Sequence, residues 1–303
     1  TGLRIENLTI DPENERTAIR VLDGTDATLS NVTVQNGSPT DGSRAGGLHL
    51  EGAASLTVEN SVIRDSDGVY GGCAQGGGAS RLDITDSSFT GCTANYGAGA
   101  YIWSASEFVV TGSVFDTNAA SGSSDASGGA IVVENATLSV TDSEFILNTS
   151  SGATSSAGAI LLLGADAEVA GSTFSSNSSV AYGGSISSFN STYSVRTSTF
   201  SSNSAELGGA LISSEDFGGE IQDSTFSGNT ARRGGAIYLF DAFDTLTFNR
   251  NVMCLNQALG DVGPRDGGAL FVNGTPLDMT NSVLLQNSAE QRGGGVCIIN
   301  GSN

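Results

Sequence analysis

The stretch Gly128-Gly129-Ala130-Ile131 is followed, fifteen residues after its alanine, by Phe145-Ile146-Leu147-Asn148, and copies of both motifs recur along the chain. The first, the glycine motif, recurs at residues 183–186, 208–211, 234–237 and 267–270. The second, the Phe-x-x-Asn motif, recurs at residues 115–118, 174–177, 200–203 and 226–229. Repetition at a nearly fixed period is the sequence sign of a repeat protein, so the chain is predicted to be one structural unit copied end to end.

Eleven copies appear when the chain is aligned on the phenylalanine of the second motif, at intervals of 24 to 31 residues. The aligned residues are Ile10, Val34, Ile63, Phe89, Phe115, Phe145, Phe174, Phe200, Phe226, Met253 and Leu284. The seventh and fifth residues before this position are usually apolar, as are Leu138 and Val140, and the residue between them is usually polar. Such alternation predicts a strand with one buried face.

About 27 residues per copy, short strands and the absence of a helical period together predict an all-β fold. The predicted architecture is a right-handed single-stranded parallel β-helix, a β-solenoid of about eleven coils, in which each copy forms one coil. The hand follows the general preference of parallel crossovers. Residues 1–303 are predicted to form a single domain that is a fragment of a longer chain.

Equivalent residues of successive coils are expected to stack on one another and form ladders. The predicted aromatic ladder inside the solenoid consists of Phe89, Phe115, Phe145, Phe174, Phe200 and Phe226. The predicted amide ladder at a corner consists of Asn118, Asn148, Asn177, Asn203, Asn229, Asn256 and Asn287. Asp-Ser and Asn-Ser pairs just before the aligned position are expected to stabilise another corner, because these side chains hydrogen-bond to nearby backbone groups.

The length variation between copies is concentrated in the arc that leads from the aligned position to the next glycine motif. Repeat proteins usually place insertions on one face, which is often the binding face. The loops proposed to carry binding specificity are residues 38–44, 119–127, 148–156 and 257–266.

The composition restricts the possible partners. There are 32 acidic residues against 12 basic ones, all of them arginine, and the formal net charge is −20. Such a charge repels nucleic acid and anionic membranes. No apolar run is long enough to span a bilayer, so membrane attachment is expected only through an anchor or barrel outside this sequence. The expected partner is a cell-surface protein or glycan, or another copy of the chain.

Two of the four cysteines occupy motif positions. Cys73 replaces the alanine of a glycine motif and Cys92 replaces the asparagine of a Phe-x-x-Asn motif. These positions flank a variable loop, so the two residues are disulfide candidates, and the bond would stabilise the fold by about 3 kcal/mol. Cys254 and Cys297 are the second candidate pair, although they lie further apart along the coils. The spacing of the four does not fit a zinc site.

No catalytic, cofactor or metal residue is predicted. The lone His49 is expected to be structural or solvated, with no partner nearby. Polysaccharide-active enzymes need neighbouring carboxylates, whereas the acids on the polar face of the regular strand fall in coils that are not adjacent: Asp83, Glu168, Glu220 and Asp278. Acid pairs in loops are expected to be solvated: Asp65/Asp67, Glu215/Asp216, Asp241/Asp244 and Asp261/Asp266. Calcium is the one cofactor considered, because the loop acids supply the oxygen ligands that Ca²⁺ prefers.

The strand after the glycine motif is apolar at every position, as in Ile131-Val132-Val133. One explanation is that a loop covers its outward-facing residues. The other is an exposed hydrophobic ladder that serves in self-association or in docking of a partner.

The alternating Gly-Gly-Ala-Ile/Leu and Phe-x-x-Asn motifs resemble the repeats of the polymorphic outer membrane protein family, first described in chlamydiae. The resemblance covers nearly the whole chain and is weakest in residues 1–45. It implies an autotransporter-like protein, in which a C-terminal β-barrel carries a right-handed β-helical passenger to the cell surface. It also implies a role in adhesion, and it supplies no catalytic residues.

Three functions are therefore considered. The first is a non-enzymatic cell-surface, outer-membrane or secreted scaffold that displays variable loops, as an adhesin does. The second is a structural fibre or surface-layer component that associates with itself. The third is a polysaccharide lyase or hydrolase.

Overall fold

The computed structural model describes residues 2–40, 44–104, 106–122, 125–261 and 263–300. They form a parallel β-solenoid of about eleven coils, and the predicted fold class is confirmed. The strands of successive coils pair in parallel register. The described residues contain no helix, and hence none long and apolar enough to cross a membrane.

The largest sheet, called the first sheet, has twenty strands and supplies two segments to each coil. Its two longest strands, at the N-terminal end, are Leu3–Ile10 and Asp26–Gln35. Its other first segments are Ser55–Glu59, Arg81–Thr85, Glu107–Thr111, Thr137–Thr141, Asp166–Ala170, Thr192–Arg196, Gly218–Gln222, Leu246–Asn249 and Leu277–Thr280. Its other second segments are Val62–Arg64, Ser88–Thr90, Val114–Asp116, Glu144–Ile146, Thr173–Ser175, Thr199–Ser201, Thr225–Ser227, Val252–Cys254 and Val283–Leu285.

The second sheet has eleven strands, one from each coil, and each later strand follows a glycine motif or its variant. Its strands are Ile19–Val21, Leu48–Leu50, Ala74–Gly76, Ala100–Trp103, Ile131–Glu134, Ile160–Leu163, Ile186–Phe189, Leu211–Ser214, Ile237–Phe240, Leu270–Asn273 and Val296–Ile299. Two small sheets complete the coils. The four-stranded one consists of Thr93–Ala94, Ala119–Ala120, Thr149–Ser150 and Ser178–Ser179. The three-stranded one consists of Thr230–Ala231, Gln257–Ala258 and Ser288–Ala289.

The core lies between the two sheets and runs the length of the solenoid. The six phenylalanines from Phe89 to Phe226 are fully buried and stack in one continuous row, with ring centroids 4.7 to 5.1 Å apart. This spacing equals the distance between paired strands. Each ring therefore contacts the equivalent ring of the coil before and the coil after it.

Buried asparagines form a second row, at the corner that follows the phenylalanine. The Oδ1 atom of Asn177 accepts hydrogen bonds from the backbone N–H and the Nδ2 atom of Asn148, both at 3.0 Å. The Nδ2 atom of Asn148 also donates to the carbonyl of Phe115, at 2.9 Å. The same bonds recur from Asn118 to Asn287, so each amide connects three successive coils.

A third row, which the sequence analysis did not identify, is a ladder of buried serines at the corner between the two segments of the first sheet. The hydroxyl of Ser172 accepts a hydrogen bond from the backbone N–H of Ser143, at 3.1 Å, and donates to the carbonyl of Ala170. Members of the row are Ser61, Ser87, Ser113, Ser143, Ser172, Ser198, Ser224 and Ser282, with Asn251 between the last two. The residue before each of them has positive φ, and it is Asp, Asn or Gly, as at Asp142, except at Thr197 and Arg250.

The two glycines of the glycine motif have different roles. Gly208 has φ of +66°, a conformation that side chains disfavour. At Gly209 there is no room for a side chain, because a Cβ atom would lie 2.1 Å from the carbonyl oxygen of Gly235 in the next coil. The second glycine is therefore the position at which adjacent coils approach most closely.

A disulfide joins Cys73 and Cys92 inside the solenoid, with their Cα atoms 5.6 Å apart and both residues fully buried. The bond crosses the interior from the second sheet to the asparagine corner. The second candidate pair is wrong in this structure, because Cys254 and Cys297 are free thiols. They cannot meet, since Cys254 lies on the first sheet whereas Cys297 lies on the outer side of the second.

Candidate functional site

The outward-facing residues of the second sheet form an extended apolar surface, called here the outer face. Its central row, in register along the sheet, is His49, Gln75, Tyr101, Val132, Leu161, Ser187, Ile212, Tyr238, Phe271 and Cys297. Its edge row, two residues further along each strand, is Trp103, Glu134, Leu163, Phe189, Ser214, Phe240, Asn273 and Ile299. Its corner row precedes the glycine motifs and is Tyr70, Tyr96, Ser127, Ser156, Tyr182, Leu207, Arg233, Asp266 and Arg292.

The structure combines both explanations that the sequence left open for this apolar strand. The central row is largely shielded from solvent, since Val132, Leu161, Ile212 and Phe271 are buried. The shielding comes from the corner and edge rows, whose aromatic residues are only partly buried. The outer face is thus an apolar groove with a covered floor and accessible aromatic walls.

Near its N-terminal end the groove holds a cavity of about 370 Å³, called here the tyrosine pocket. Tyr70 stacks on Tyr96 with centroids 5.4 Å apart, and Tyr101 packs against Tyr70 at 5.1 Å. The ring of Trp103, the only tryptophan of the chain, lies 5.4 Å from that of Tyr101. Val132, Leu161, Leu163 and Phe189 line the opposite part of the cavity.

Two carboxylates border the tyrosine pocket. The hydroxyl of Tyr96 donates a hydrogen bond to Asp125, at 2.6 Å, and that of Tyr101 donates to Glu134. The hydrogen bond to Asp125 raises the pKa of Tyr96 to about 12. Burial and the bond to Glu134 also raise the pKa of Tyr101. Both phenols therefore stay protonated, and their hydroxyls position the carboxylates of Asp125 and Glu134 at the rim of the pocket.

A second cavity, of about 260 Å³, continues the groove toward the C-terminal end. Phe189 lines both cavities, and its ring lies 6.2 Å from that of Tyr182. The lining of the second cavity is aromatic and aliphatic: Tyr182, Phe189, Leu207, Ile212, Ser214, Tyr238 and Phe240. It contains no charged residue, in contrast to the tyrosine pocket.

Further along, the chain itself supplies a cation to the groove. The guanidinium carbon of Arg233 lies 5.2 Å from the ring centroid of Phe271. Asp266 receives two hydrogen bonds from Arg292, at 3.0 and 2.6 Å, and these lower its pKa. The expectation that Asp266 is solvated is wrong, because its exposure is 0% and the ion pair makes burial tolerable.

The expectation of a solvated loop carboxylate also fails at Asp216, whose exposure is 0%. It accepts hydrogen bonds from the backbone N–H of Ser191, at 2.9 Å, and from the hydroxyl of Ser213, at 2.6 Å. Burial raises its pKa to about 6, against the opposing effect of these bonds. The hydroxyls of Tyr193 and Ser188 are buried near the same carboxylate.

His49 has partners that the sequence did not reveal. It is 7% exposed, and its Nδ1 atom lies 3.0 Å from the side-chain oxygen of Gln75 in the next coil. Its Nε2 atom lies 3.4 Å from Glu51, which also pairs with Arg20. Burial lowers the pKa of the imidazole. The residue is a hydrogen-bonded part of the central row.

A separate depression, of about 530 Å³, lies on the outer surface of the first sheet. Gly218 leaves this surface without a side chain, whereas Gly219 faces the core, where a Cβ atom would lie 2.6 Å from the ring of the buried Tyr193. Glu168 and Glu220 face it on either side of Ser194, two coil steps or about 10 Å apart. Arg196 pairs with Glu220 at 2.6 Å. These two acids therefore do not lie in adjacent coils, in agreement with the sequence analysis.

The loops proposed to carry specificity lie only partly within the described residues, since 41–43, 123–124 and 262 fall outside them. Three of the loops begin with a two-residue strand, at Ala119–Ala120, Thr149–Ser150 and Gln257–Ala258. Within the described ranges, no group of three His, Cys, Asp or Glu side chains could hold a metal ion.

Comparison with known proteins places the chain in a family. The family model described as the right-handed beta helix region matches residues 1–159, just over half of the chain. The model of the Chlamydia polymorphic membrane protein repeat matches residues 223–239, which contain one Phe-x-x-Asn motif and one glycine motif. Searches of curated proteins and of solved structures gave no match. The chain therefore belongs to the right-handed β-helix family and carries a repeat of the polymorphic membrane protein type.

Proposed function

We propose that this chain is a non-enzymatic binding scaffold, presented at the cell surface or secreted, and that it acts as an adhesin. The observation that carries the proposal is the outer face, where partly exposed aromatic side chains line a continuous apolar groove. Apolar grooves with a few polar groups at their edge are the usual form of a binding site. The repeat type is in keeping with a cell-surface or outer-membrane location.

The disulfide gives independent support for a location outside the cytoplasm. Disulfides persist in oxidising compartments and at cell surfaces, and reducing conditions in the cytosol remove them. The Cys73–Cys92 bond is enclosed in the core, where it ties a single coil together rather than taking part in exchange chemistry.

The test is attachment of cells, or of immobilised proteins and glycans, to the purified chain. In one variant, Tyr101→Ser and Leu163→Ser make the groove polar. The matched control, Val109→Ser with Val252→Ser, makes the same kind of change on the outer surface of the first sheet. We expect attachment to fall about tenfold in the first variant and to persist in the control, because buried aromatic anchors dominate binding energy. Equal attachment by both variants would remove the groove from the function.

The non-enzymatic assignment has its own test. The first-sheet depression places Glu168 and Glu220 at one surface, and Arg196 forms an ion pair with Glu220. We expect no turnover when the chain is incubated with neutral or acidic polysaccharides. Turnover that disappears in Glu168→Gln would instead establish a polysaccharide-active enzyme.

A second candidate function, association of the chain with itself, is favoured by a pair of aromatic rings. Phe217 and Phe243 stack with centroids 5.2 Å apart and are 55% and 60% exposed. Adjacent exposed rings are a common sign of a contact surface. Sedimentation velocity at high concentration should detect oligomers that dissociate in Phe217→Ser with Phe243→Ser. A monomer at every concentration would exclude this function.

A further inference from the structure

We propose that the tyrosine pocket binds a basic, amphipathic segment of a partner protein, and that an arginine or lysine side chain of that segment lies against the tyrosine rings between Asp125 and Glu134. The inference rests on the proposed binding function and adds the chemistry of the partner. It is carried by the shape of the pocket, its charge, and a parallel interaction within the same chain.

The shape follows from a change of residue size along the corner row. Tyr96 and Tyr182 are large, whereas Ser127 and Ser156 between them are small and buried. The corner-row wall of the groove is therefore low at the two serine coils and high at the aromatic residue on each side of them. Three coil steps separate the two tyrosines, about 14 Å. This length accommodates about four residues of an extended peptide.

The charge selects a cation. Asp125 and Glu134 are the charged residues among those that line the tyrosine pocket. Each accepts a hydrogen bond from the hydroxyl of a tyrosine whose ring also lines the pocket. A positive group placed there gains attraction from the ring faces as well as from the carboxylates, and it is partly desolvated. The net charge of −20 adds long-range attraction for a basic segment and repels an acidic one.

The same groove already contains a cation on an aromatic ring. At the corner row, Arg233 occupies the position equivalent to Tyr96 and Tyr182, and its guanidinium lies over Phe271. In that region the chain supplies the cation from its own corner row. At the tyrosine pocket, where the corner row steps down to Ser127 and Ser156, a ligand would have to supply it.

The apolar part of the pocket indicates a protein segment rather than a small polar cation. Leu163 and Phe189 are partly exposed and, over the buried Val132 and Leu161, form an apolar floor whose Phe189 also lines the second cavity. A polyamine would leave this floor unused. A peptide that alternates basic and apolar side chains places the first against the carboxylates and the second on the floor, because successive side chains of an extended chain point to opposite sides.

The experiment uses the complete chain and its single tryptophan. Trp103 contacts Tyr101, so its fluorescence reports on the tyrosine pocket. The chain is titrated at near-physiological salt with a short labelled peptide that alternates arginine with leucine or phenylalanine. Comparison probes are the same peptide with glutamate for arginine, the same peptide with serine for the apolar residues, spermine, and a neutral oligosaccharide. Peptide anisotropy gives the affinity and Trp103 emission gives the location.

The diagnostic variants remove charge without removing hydrogen-bond acceptors. Glu134→Gln and Asp125→Asn can still accept the tyrosine hydroxyls. The matched control is Glu168→Gln or Asp166→Asn, each of which removes one charge, as each pocket variant does, but on the outer surface of the first sheet. We expect each pocket variant to weaken the arginine peptide about five- to tenfold and the control to weaken it less than about twofold. Tyr70→Leu, which keeps the apolar contact and loses the aromatic one, should weaken it about threefold.

Several outcomes would overturn the proposal. Equal weakening by the control would assign the binding to general surface charge. Equal affinity for the glutamate peptide would exclude a cation, and equal affinity for spermine would exclude a protein segment. Binding of the neutral oligosaccharide alone would make the groove a glycan site, with the proposed adhesin function retained. A pocket variant that loses peptide binding but keeps cell attachment would show that the peptide site is not the adhesion site, since attachment would then depend on another surface.

Discussion

The phenylalanine row inside the first sheet and the central row outside the second sheet pass through the same coils, yet only the first keeps one residue type. Over six coils the inner row is phenylalanine throughout, with every ring stacked on the next. Over a comparable stretch the central row reads Tyr101, Val132, Leu161, Ser187, Ile212 and Tyr238. The phenylalanine row keeps one residue type where each ring contacts only its copies, whereas the central row varies on the face whose edge and corner rows are partly exposed.

The largest expected difference between the two rows is in stability. Phe174→Ala leaves a cavity in the stacked row and should lower the free energy of unfolding by about 3–5 kcal/mol. Phe189→Ala, on the partly exposed edge row, should cost about 1 kcal/mol. Urea denaturation, supported by hydrogen exchange of the neighbouring coils, measures both. Similar losses in the two variants would mean that the outer face is as much a part of the core as the inner row.

The asparagine row should follow closely. In Asn177→Ala the backbone N–H of Asn148 loses its buried acceptor, which lies at 3.0 Å, and the carbonyl of Phe145 loses a donor. We expect a loss of about 2–4 kcal/mol. The exposed Asn95→Ala serves as the control and should change the stability by less than about 0.5 kcal/mol. Peptide or cell binding at the outer face should be unaffected where the variant remains folded.

Asp216 is an exception to the apolar interior, and its effect depends on pH. Its pKa is raised by burial to about 6 in the folded chain, from an ordinary value of 3.8, so the folded state holds the proton more tightly than the unfolded state. The contribution of this group to stability therefore rises as the pH falls from about 6 to about 4, by roughly 2–3 kcal/mol.

The amide in Asp216→Asn can still accept from the backbone of Ser191 and can donate to the hydroxyls of Ser213 and Tyr193. The variant should be more stable than the parent at neutral pH and nearly equal to it near pH 4. The difference between the two urea midpoints, measured across this range, isolates Asp216 from the surface acids. A difference that does not vary with pH would contradict the assignment.

The smallest effect is expected in the serine row. Ser198→Ala removes the acceptor of the Ser172 backbone N–H, at 3.2 Å, and should cost about 1 kcal/mol. Ser175→Ala changes the same residue type on the outer surface of the first sheet, where we expect no more than about 0.5 kcal/mol. Thermal melting of the two variants side by side would resolve them. Indistinguishable melting temperatures would remove the serine row from the set of stabilising ladders.

The parts of the structure that could be predicted are those that repeat. Contacts between like residues of successive coils leave a period in the sequence, and from that period the fold, the coil number and the position of rows such as Phe174 and Asn177 follow. The serine row was not predicted, because an Asp-Ser pair is already explained by a local turn. Only the structure shows that each serine hydroxyl accepts a hydrogen bond from the backbone of the neighbouring coil.

The apolar strand pattern suggested the outer face as one of two explanations, but the tyrosine pocket could not be predicted in this way. Tyr70, Tyr96 and Tyr101 belong to two different rows and to adjacent coils, and none of them repeats at a fixed interval. The burial of Asp216 and Asp266 likewise depends on hydrogen bonds from individual residues, Ser213 and Arg292. These contacts do not recur from coil to coil, so the repeat pattern does not reveal them. A site assembled from unlike residues carries no periodic signal.

The coil-to-coil register of the phenylalanine and asparagine rows also has a genetic consequence. Phe174, Phe200 and Phe226 are each 26 residues apart, and the bonds of Asn177 and Asn203 span the same 26 residues. Loss or duplication of 26 codons between equivalent corners would join identical environments and leave every ladder continuous. Unequal recombination within such a gene would thus yield proteins of different length, whose outer faces differ in the order of their residues while the phenylalanine and asparagine rows stay the same.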